Sequence, residues 1–262
     1  MLLGGLLVFT IGTIIGSFLN VVVLRTNQGR SIVKGPSSCV HCHVQIKPYD
    51  MVPIISFFLL DRKCRNCKQP ISWQYPLVEF STGLIFALFF LRYVYAFSMP
   101  LGLTADLWII FLLRDLAFMT FLIVLFVYDL RYILILDRFT FPAMVLALTF
   151  NLLLGMDPLS LLVGAAVVGG FFFIQFVISR GEWVGGGDVR MGALIGLMLG
   201  LQQGLIALFL AYMIGALVGS LLLLSGRAQF QTKIPMGTFL AVGTFIALFT
   251  GTAIMNWYLA FF

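Results

Sequence analysis

Gly185-Gly186-Gly187-Asp188 joins a glycine run to a single carboxylate at the head of an apolar stretch, DVRMGALIGLMLGLQQG. Gly192, Gly196, Gly200 and Gly204 follow at steps of four, which stacks them on one face of an α-helix. Small residues on one face let a neighbouring helix pack closely within a membrane. Asp188 lies one turn before Gly192 and heads that face, so it is predicted to point into a helix bundle. A carboxylate held there is costly and marks a functional site. Helix capping also explains an aspartate at such a position, but a cap needs no three-glycine clearance ahead of it. The second carboxylate is Asp129, at the end of another apolar run in VYDLRYILILDRF. Two aspartates in one site share a proton and can activate water for attack on a peptide carbonyl. Asp129 and Asp188 are distant in sequence, so only tertiary packing can pair them. Asp137 is the competing partner, and a plain N-cap before the next apolar run accounts for it.

The four cysteines form Cys39-x2-Cys42 and Cys64-x2-Cys67, a spacing that predicts a tetrahedral four-thiolate zinc site. Four thiolates leave no open position for a substrate, so the expected role is structural. His41 and His43 are alternative ligands, but they read more simply as surface residues of the first knuckle. Both histidines of the chain lie here, which leaves no Ser-His or Cys-His pair for nucleophilic catalysis.

The elements that must position these groups are membrane helices. Of the 262 residues 61% are hydrophobic and 10% charged, a composition that excludes a soluble domain. The expected fold is an all-α polytopic membrane protein of about eight transmembrane helices with a small cytoplasmic zinc-ribbon-like lobe. Residues 1–24 form the first span, retained because no cleavage site follows it, with Gly12 and Gly16 as a close-packing face. Residues 25–75 form the four-cysteine zinc lobe. Residues 76–262 form a seven-helix membrane protease domain, with apolar runs at Pro76–Phe97, Leu107–Tyr128, Phe139–Leu154, Leu159–Ser179, Val189–Leu201, Gly204–Leu224 and Ile234–Phe262. The run from Val189 to Leu201 is short, about 20 Å as a helix against a hydrocarbon core of about 30 Å. Either the bilayer thins here, or the helix starts below the cytoplasmic surface within a wet, protein-lined cavity.

Basic residues set the orientation. With the lobe in the cytoplasm, Arg131 and Arg138, Arg180 and Arg190, and Arg227 and Lys233 fall on the inner side. Asp106 and Asp157 fall outside, and Arg92 and Arg114 are expected to snorkel near outer helix ends. Both termini are then outside, and Asp129, Asp137 and Asp188 all lie at the cytoplasmic face. Because the basic excess follows this pattern, membrane lipid is the expected partner and nucleic acid is not.

Taken together, these residues resemble the bacterial type IV prepilin peptidases, GxGD-type aspartic proteases. The resemblance runs through Gly16-Ser17-Phe18-Leu19-Asn20-Val21, both cysteine pairs, Tyr49-Asp50 with Pro53, and Ile71-Ser72-Trp73 followed by Tyr75-Pro76-Leu77-Val78-Glu79. It continues through Asp129-Leu130-Arg131, Asp137-Arg138, Gly185-Gly186-Gly187-Asp188-Val189, Ile234-Pro235-Met236-Gly237 and Phe239-Leu240-Ala241. It implies that Asp129 and Asp188 are catalytic and that Cys39, Cys42, Cys64 and Cys67 bind metal. It implies inner-membrane prepilin and pseudopilin cleavage on the cytoplasmic side, after the glycine ending a short basic leader. It further implies N-methylation of the new N-terminus with S-adenosylmethionine as cofactor. Leu136, Val40, Arg190 and Thr238 depart from the family's usual Pro, Pro, Lys and Pro.

A proton-coupled transporter would also bury acids, but repeated halves and mid-span breaks would then be expected. A zinc-ribbon adaptor would leave the two aspartates without a role. If Asp129 ends one helix and Asp188 begins another, helix dipoles favour Asp129 as acid and Asp188 as base.

Overall fold

The computed structural model describes residues 2–94, 108–226, 229 and 234–260. Asp106, Arg227 and Lys233, and the expected span ends at Phe97, Leu107 and Phe262, lie outside them. The regular elements among the described residues are helical, eight α-helices and one 3-10 turn, with no named strand. Among the described residues six helices are long and apolar enough to cross a membrane. The chain divides into two compact units, Met1–Phe97 and Ser98–Phe262.

The first unit pairs α1 (Leu2–Asn27) with α3 (Gln74–Val94). As the glycine face predicts, the two backbones nearly touch: a Cβ on Gly12 would lie 2.7 Å from Gly83 Cα, and one on Gly16 2.8 Å from Glu79 Cα. Between these helices the chain forms the cysteine lobe, with a short 3-10 turn at Pro48–Met51 and α2 at Ile55–Leu59. Buried Glu79 accepts the Ile54 N–H at 2.6 Å. This bond steadies Ile54 at the centre of a γ-turn (φ 63°, ψ −54°), closed by the Ile55 N–H on Pro53 O, a conformation that a β-branched residue rarely adopts. Asn20 donates to the Tyr75 carbonyl and accepts from Gln74, joining α1 to the start of α3. The large apolar residues left exposed on α1, such as Leu3, Leu6 and Leu7, suit lipid as the surrounding solvent.

The second unit contains α4 (Trp108–Tyr132), α5 (Asp137–Leu153), α6 (Pro158–Ile178), α7 (Gly186–Leu224) and α8 (Met236–Leu259). Asp157 caps α6 by accepting the Leu159 and Ser160 N–H groups. As one straight helix α7 would run about 58 Å, and Gly192 and Tyr212 would stand about 30 Å apart. Both instead pack on Phe172 of α6. A Cβ on Gly192 would lie 2.8 Å from that ring, and the Tyr212 ring stacks on it at 6.2 Å. The chain therefore folds back at Gly200, whose φ of 74° and ψ of −175° interrupt the helix. The two arms, 186–199 and 201–224, correspond to the runs Val189–Leu201 and Gly204–Leu224 of the sequence, with the break at Gly200 placing Leu201 in the second arm.

The break strands backbone groups in an apolar setting, and side chains take them up. Asn151 Nδ2 donates to the Leu197 and Met198 carbonyls at 2.7 and 3.0 Å. Ser160 Oγ accepts the Leu201 N–H at 3.4 Å. Arg114 donates to Asn151 Oδ1 and forms an ion pair with Asp115 at 2.8 Å. Arg114 is thus buried against Phe111 and Phe118, not snorkelling as its place near a helix end suggested. Pairing with a buried carboxylate and amide satisfies its charge better than a long reach to the interface. Arg92 does lie in the last turn of α3, over Tyr93. Replacing Asn151 by Leu should strand the two carbonyls and lower unfolding stability by about 1–3 kcal/mol, measurable as an earlier thermal transition in detergent.

The glycine ladder of α7 serves this packing. A Cβ on Gly192 would meet Val168 as well as Phe172, and one on Gly196 would collide with the backbone of Gly164 and Ala165. The face predicted from the four-residue steps is therefore the face on which the first arm of α7 seats against α6.

Candidate active site

Asp188 is the third residue of α7 and is buried. Its Oδ2 accepts the Gly185 N–H at 2.9 Å, so the carboxylate does help to close the helix start. The glycines ahead of it have a separate use. A Cβ on Gly187 would lie 2.9 Å from Ile135 Cβ, so only glycine lets the loop after α4 come this close.

Asp129 is buried in the last turn of α4, and its Oδ2 accepts the Thr238 N–H at 2.8 Å and the Thr238 hydroxyl at 3.2 Å. Thr238 is in the first turn of α8, so Asp129 lies at a helix N-terminus as well as at the end of its own helix. Gly237 leaves room for it: a Cβ there would be 2.9 Å from Asp129 Oδ2 and 2.7 Å from Ile135 Cδ1. Ile135 therefore touches the backbone beside both acids, at Gly187 and at Gly237. The two carboxylates are close enough for the charge of Asp129 to act on Asp188.

This arrangement changes the expectation drawn from helix ends alone. Two donors from α8 solvate an ionised Asp129, whereas Asp188 accepts one backbone N–H. In the sequence Thr238 stands out only as a departure from the family's usual proline. A proline could supply neither of the two bonds. Gly237→Ala should push Asp129 aside and lower the cleavage rate about 100-fold, the scale expected for a misplacement of about 1 Å. Single-turnover kinetics on a folded variant would measure it.

Asp137 is not joined to this pair by any hydrogen bond among the described residues, nor does it cap α5, whose N-cap is Leu136. It forms a half-exposed ion pair with Arg190 at 2.8 Å. Thus the carboxylate competing with Asp129 is engaged elsewhere.

The cysteine lobe is a separate site in the first unit. The four Sγ atoms lie within 4.8 Å of one another. Each pair sits in the same small hairpin. Cys39 N–H bonds Val44 O and His43 N–H bonds Cys39 O; Cys64 N–H bonds Gln69 O and Lys68 N–H bonds Cys64 O. His43 and Lys68 turn the chain at φ of 57° and 60°, and isolated bridges Ser38–Gln45 and Lys63–Pro70 close the two hairpins. His41 and His43 do not join the cluster. The Val44 N–H, and then the Asn66 side chain, bring the Cys42 thiol down to about 6. The Gln69 N–H favours the Cys67 thiolate, but burial and the neighbouring thiols push that group up to about 11. Four thiols this close cannot all ionise without a cation among them. The cluster can therefore hold a metal ion, and the donor set fits zinc. Beside it, Asp50 and Arg65 form a two-pronged ion pair at 2.7 and 2.9 Å. The Arg65 guanidinium holds the Asp50 carboxyl below its usual range.

Two comparisons with known proteins show which family the chain resembles. Residues 10–93 match the bacterial peptidase A24 N-terminal domain, and residues 116–220 match the type IV leader peptidase family. The chain is 30% identical to the prepilin leader peptidase/N-methyltransferase of Bacillus subtilis, over 97% of each chain. It is 31% identical to that of Aeromonas hydrophila, over 98% of this chain and 94% of the relative. It is 34% identical to that of Myxococcus xanthus, over 72% of this chain and 54% of the relative. No solved structure matches. With both family domains in order and near end-to-end similarity to such relatives, the chain belongs to the prepilin leader peptidase/N-methyltransferase family.

Proposed function

We propose that this chain is a membrane aspartic endopeptidase that removes the short basic leader from type IV prepilins and type II secretion pseudopilins. The observation that carries this is the placing of two buried carboxylates, Asp129 and Asp188, on separate helices beside backbone, at Gly237 and Gly187, that packs on the one residue Ile135. A glycine stands beside each where a side chain would block the approach. Two nearby carboxylates share one proton and titrate as a unit. Asp129, solvated by Thr238, carries the charge and takes a proton from the attacking water. Asp188 holds the shared proton and gives it to the carbonyl oxygen as the tetrahedral carbon forms. Asp129 then gives its proton to the leaving amine as the peptide bond breaks, and Asp188 takes back a proton from the diol, which restores the pair.

The basic-residue pattern supports a multi-pass protein of the bacterial inner membrane with the lobe and both aspartates toward the cytoplasm. Within the chain, residues 1–24, 25–75 and 76–262 then serve as anchor, lobe and protease. Cys39, Cys42, Cys64 and Cys67 hold one structural zinc, which cross-links the two hairpins when bound. The relatives are N-methyltransferases by name, which supports a second step, N-methylation of the new N-terminus, for which S-adenosylmethionine is the proposed methyl donor.

Incubating the purified full chain with a prepilin in detergent tests the proposal by mass spectrometry. Loss of the leader is the expected result, followed by a gain of one methyl group when the donor is added. An intact prepilin, with Asp129 and Asp188 both present in a folded enzyme, would overturn it.

A further inference from the structure

Gln175 of α6 and Tyr212 of the second arm of α7 form a polar pair on the flank of the site. Gln175 Nε2 lies 3.2 Å from the Tyr212 hydroxyl and Gln175 Oε1 lies 3.3 Å from it. Tyr212 stacks on Phe172 and meets Phe171 edge-on, with centroids 5.6 Å apart. Phe172 in turn packs on Gly192, one turn beyond Asp188, and the charge of Asp188 acts at Tyr212. Tyr212 and Phe171 are nevertheless 37% and 40% exposed, so the pair faces outward beside a buried acid. Phe209 and Met213, its neighbours on the same arm, are open apolar residues.

Gln175 Nε2 also donates to the Phe171 carbonyl at 3.3 Å, so the carboxamide and the phenol are satisfied here by each other and by α6, and being partly exposed they can take a further polar partner. The reaction supplies one. A helical peptide bond is hidden in its own hydrogen-bond ladder, so the segment around a bond to be cut must be extended. Its N–H and C=O groups then lose their partners, and each stranded group costs several kcal/mol away from water. A glutamine side chain offers a donor and an acceptor in the arrangement of a peptide group. The tyrosine hydroxyl can also donate or accept.

We propose that Gln175 and Tyr212 form the subsite that receives the unwound backbone of the substrate beside the bond to be cut. Phe171, Phe172 and the Tyr212 ring form the wall on which its adjoining apolar side chain rests. On binding, the Gln175–Tyr212 contact opens and each group bonds the peptide instead. This rests on Asp188 being catalytic, and the two claims separate in one experiment.

The substrate is a prepilin bound without turnover to the full-length Asp188→Asn protein in detergent. Adding Gln175→Leu should weaken that binding about tenfold, the loss of one to two hydrogen bonds. In the Asp188-intact enzyme the same change should raise KM by a similar factor, with kcat and its pH profile held. Tyr212→Phe keeps the ring, should weaken binding less, and serves as the probe if Gln175→Leu does not fold. Unchanged binding in the folded variants would overturn the subsite, as would a lowered kcat with KM unaltered. Cleavage by the single Asp188→Asn variant would instead overturn the role of Asp188.

Discussion

Asp188→Asn and Asp129→Asn should each abolish leader cleavage, by on the order of 10⁴-fold, while leaving a folded protein. That magnitude is the upper end of what a positioned acid or base contributes. Asparagine keeps the size of the side chain and can still accept the Gly185 N–H or the Thr238 N–H and hydroxyl. It cannot exchange the proton on which the pair depends. The two variants should fail alike, because one shared proton serves both steps and neither acid can act for the other. Asp137→Asn provides the contrast. It breaks a half-exposed pair with Arg190, an interaction worth about 0–1 kcal/mol, and should keep most activity. Full cleavage by either of the first two variants would rule out the dyad; loss of cleavage in a folded Asp137→Asn would shift the assignment toward the third acid.

The parts legible in the sequence were those with local periodicity. The glycine steps from Gly192 to Gly204 named the face of α7 that packs on α6, and Gly12 and Gly16 named the face of α1 that packs on α3. The cysteine spacing placed four sulfurs in one cluster. Contacts between distant segments were legible only where a chemical type is costly without a partner, as with Asp129 and Asp188. Thr238, Gln175 and Tyr212 carry no such cost in a sequence, since each residue type sits in membrane helices for many reasons. Their roles depend on the reversal at Gly200, which brings residue 212 back beside residue 192. Charge position misled at Arg114. Nearness to a helix end suggests escape to the interface, but Asp115 on the same helix and Asn151 on another offered a buried solution. The signal was present in the adjacent Arg114-Asp115 pair, because two opposite charges side by side in an apolar run can neutralise each other inside the bundle.

Removing metal from the cysteine lobe should have the second large effect, chiefly on folding of that segment. The lobe has little core of its own. Between Thr26 and Trp73 the buried side chains are Ser56 and Phe57, and α2 is five residues long. A structural zinc supplies on the order of 10 kcal/mol to folding, far above what so few buried groups provide. Two hairpins linked chiefly through their cysteines, with the Asn66–Cys42 contact as a further tie, should therefore come apart without it. Cys39→Ser with Cys42→Ser should release the metal, which analysis of the wild-type protein should show at about one zinc per chain, as one four-thiolate site requires. Protease nicking between Arg30 and Lys68 should follow. The aspartates are on α4 and α7 and need no metal for their chemistry, so leader cleavage should fall less than methyl transfer. A metal-free protein that resists nicking and retains both activities would show that the bidentate Asp50–Arg65 pair and the Glu79–Ile54 bond hold the lobe unaided.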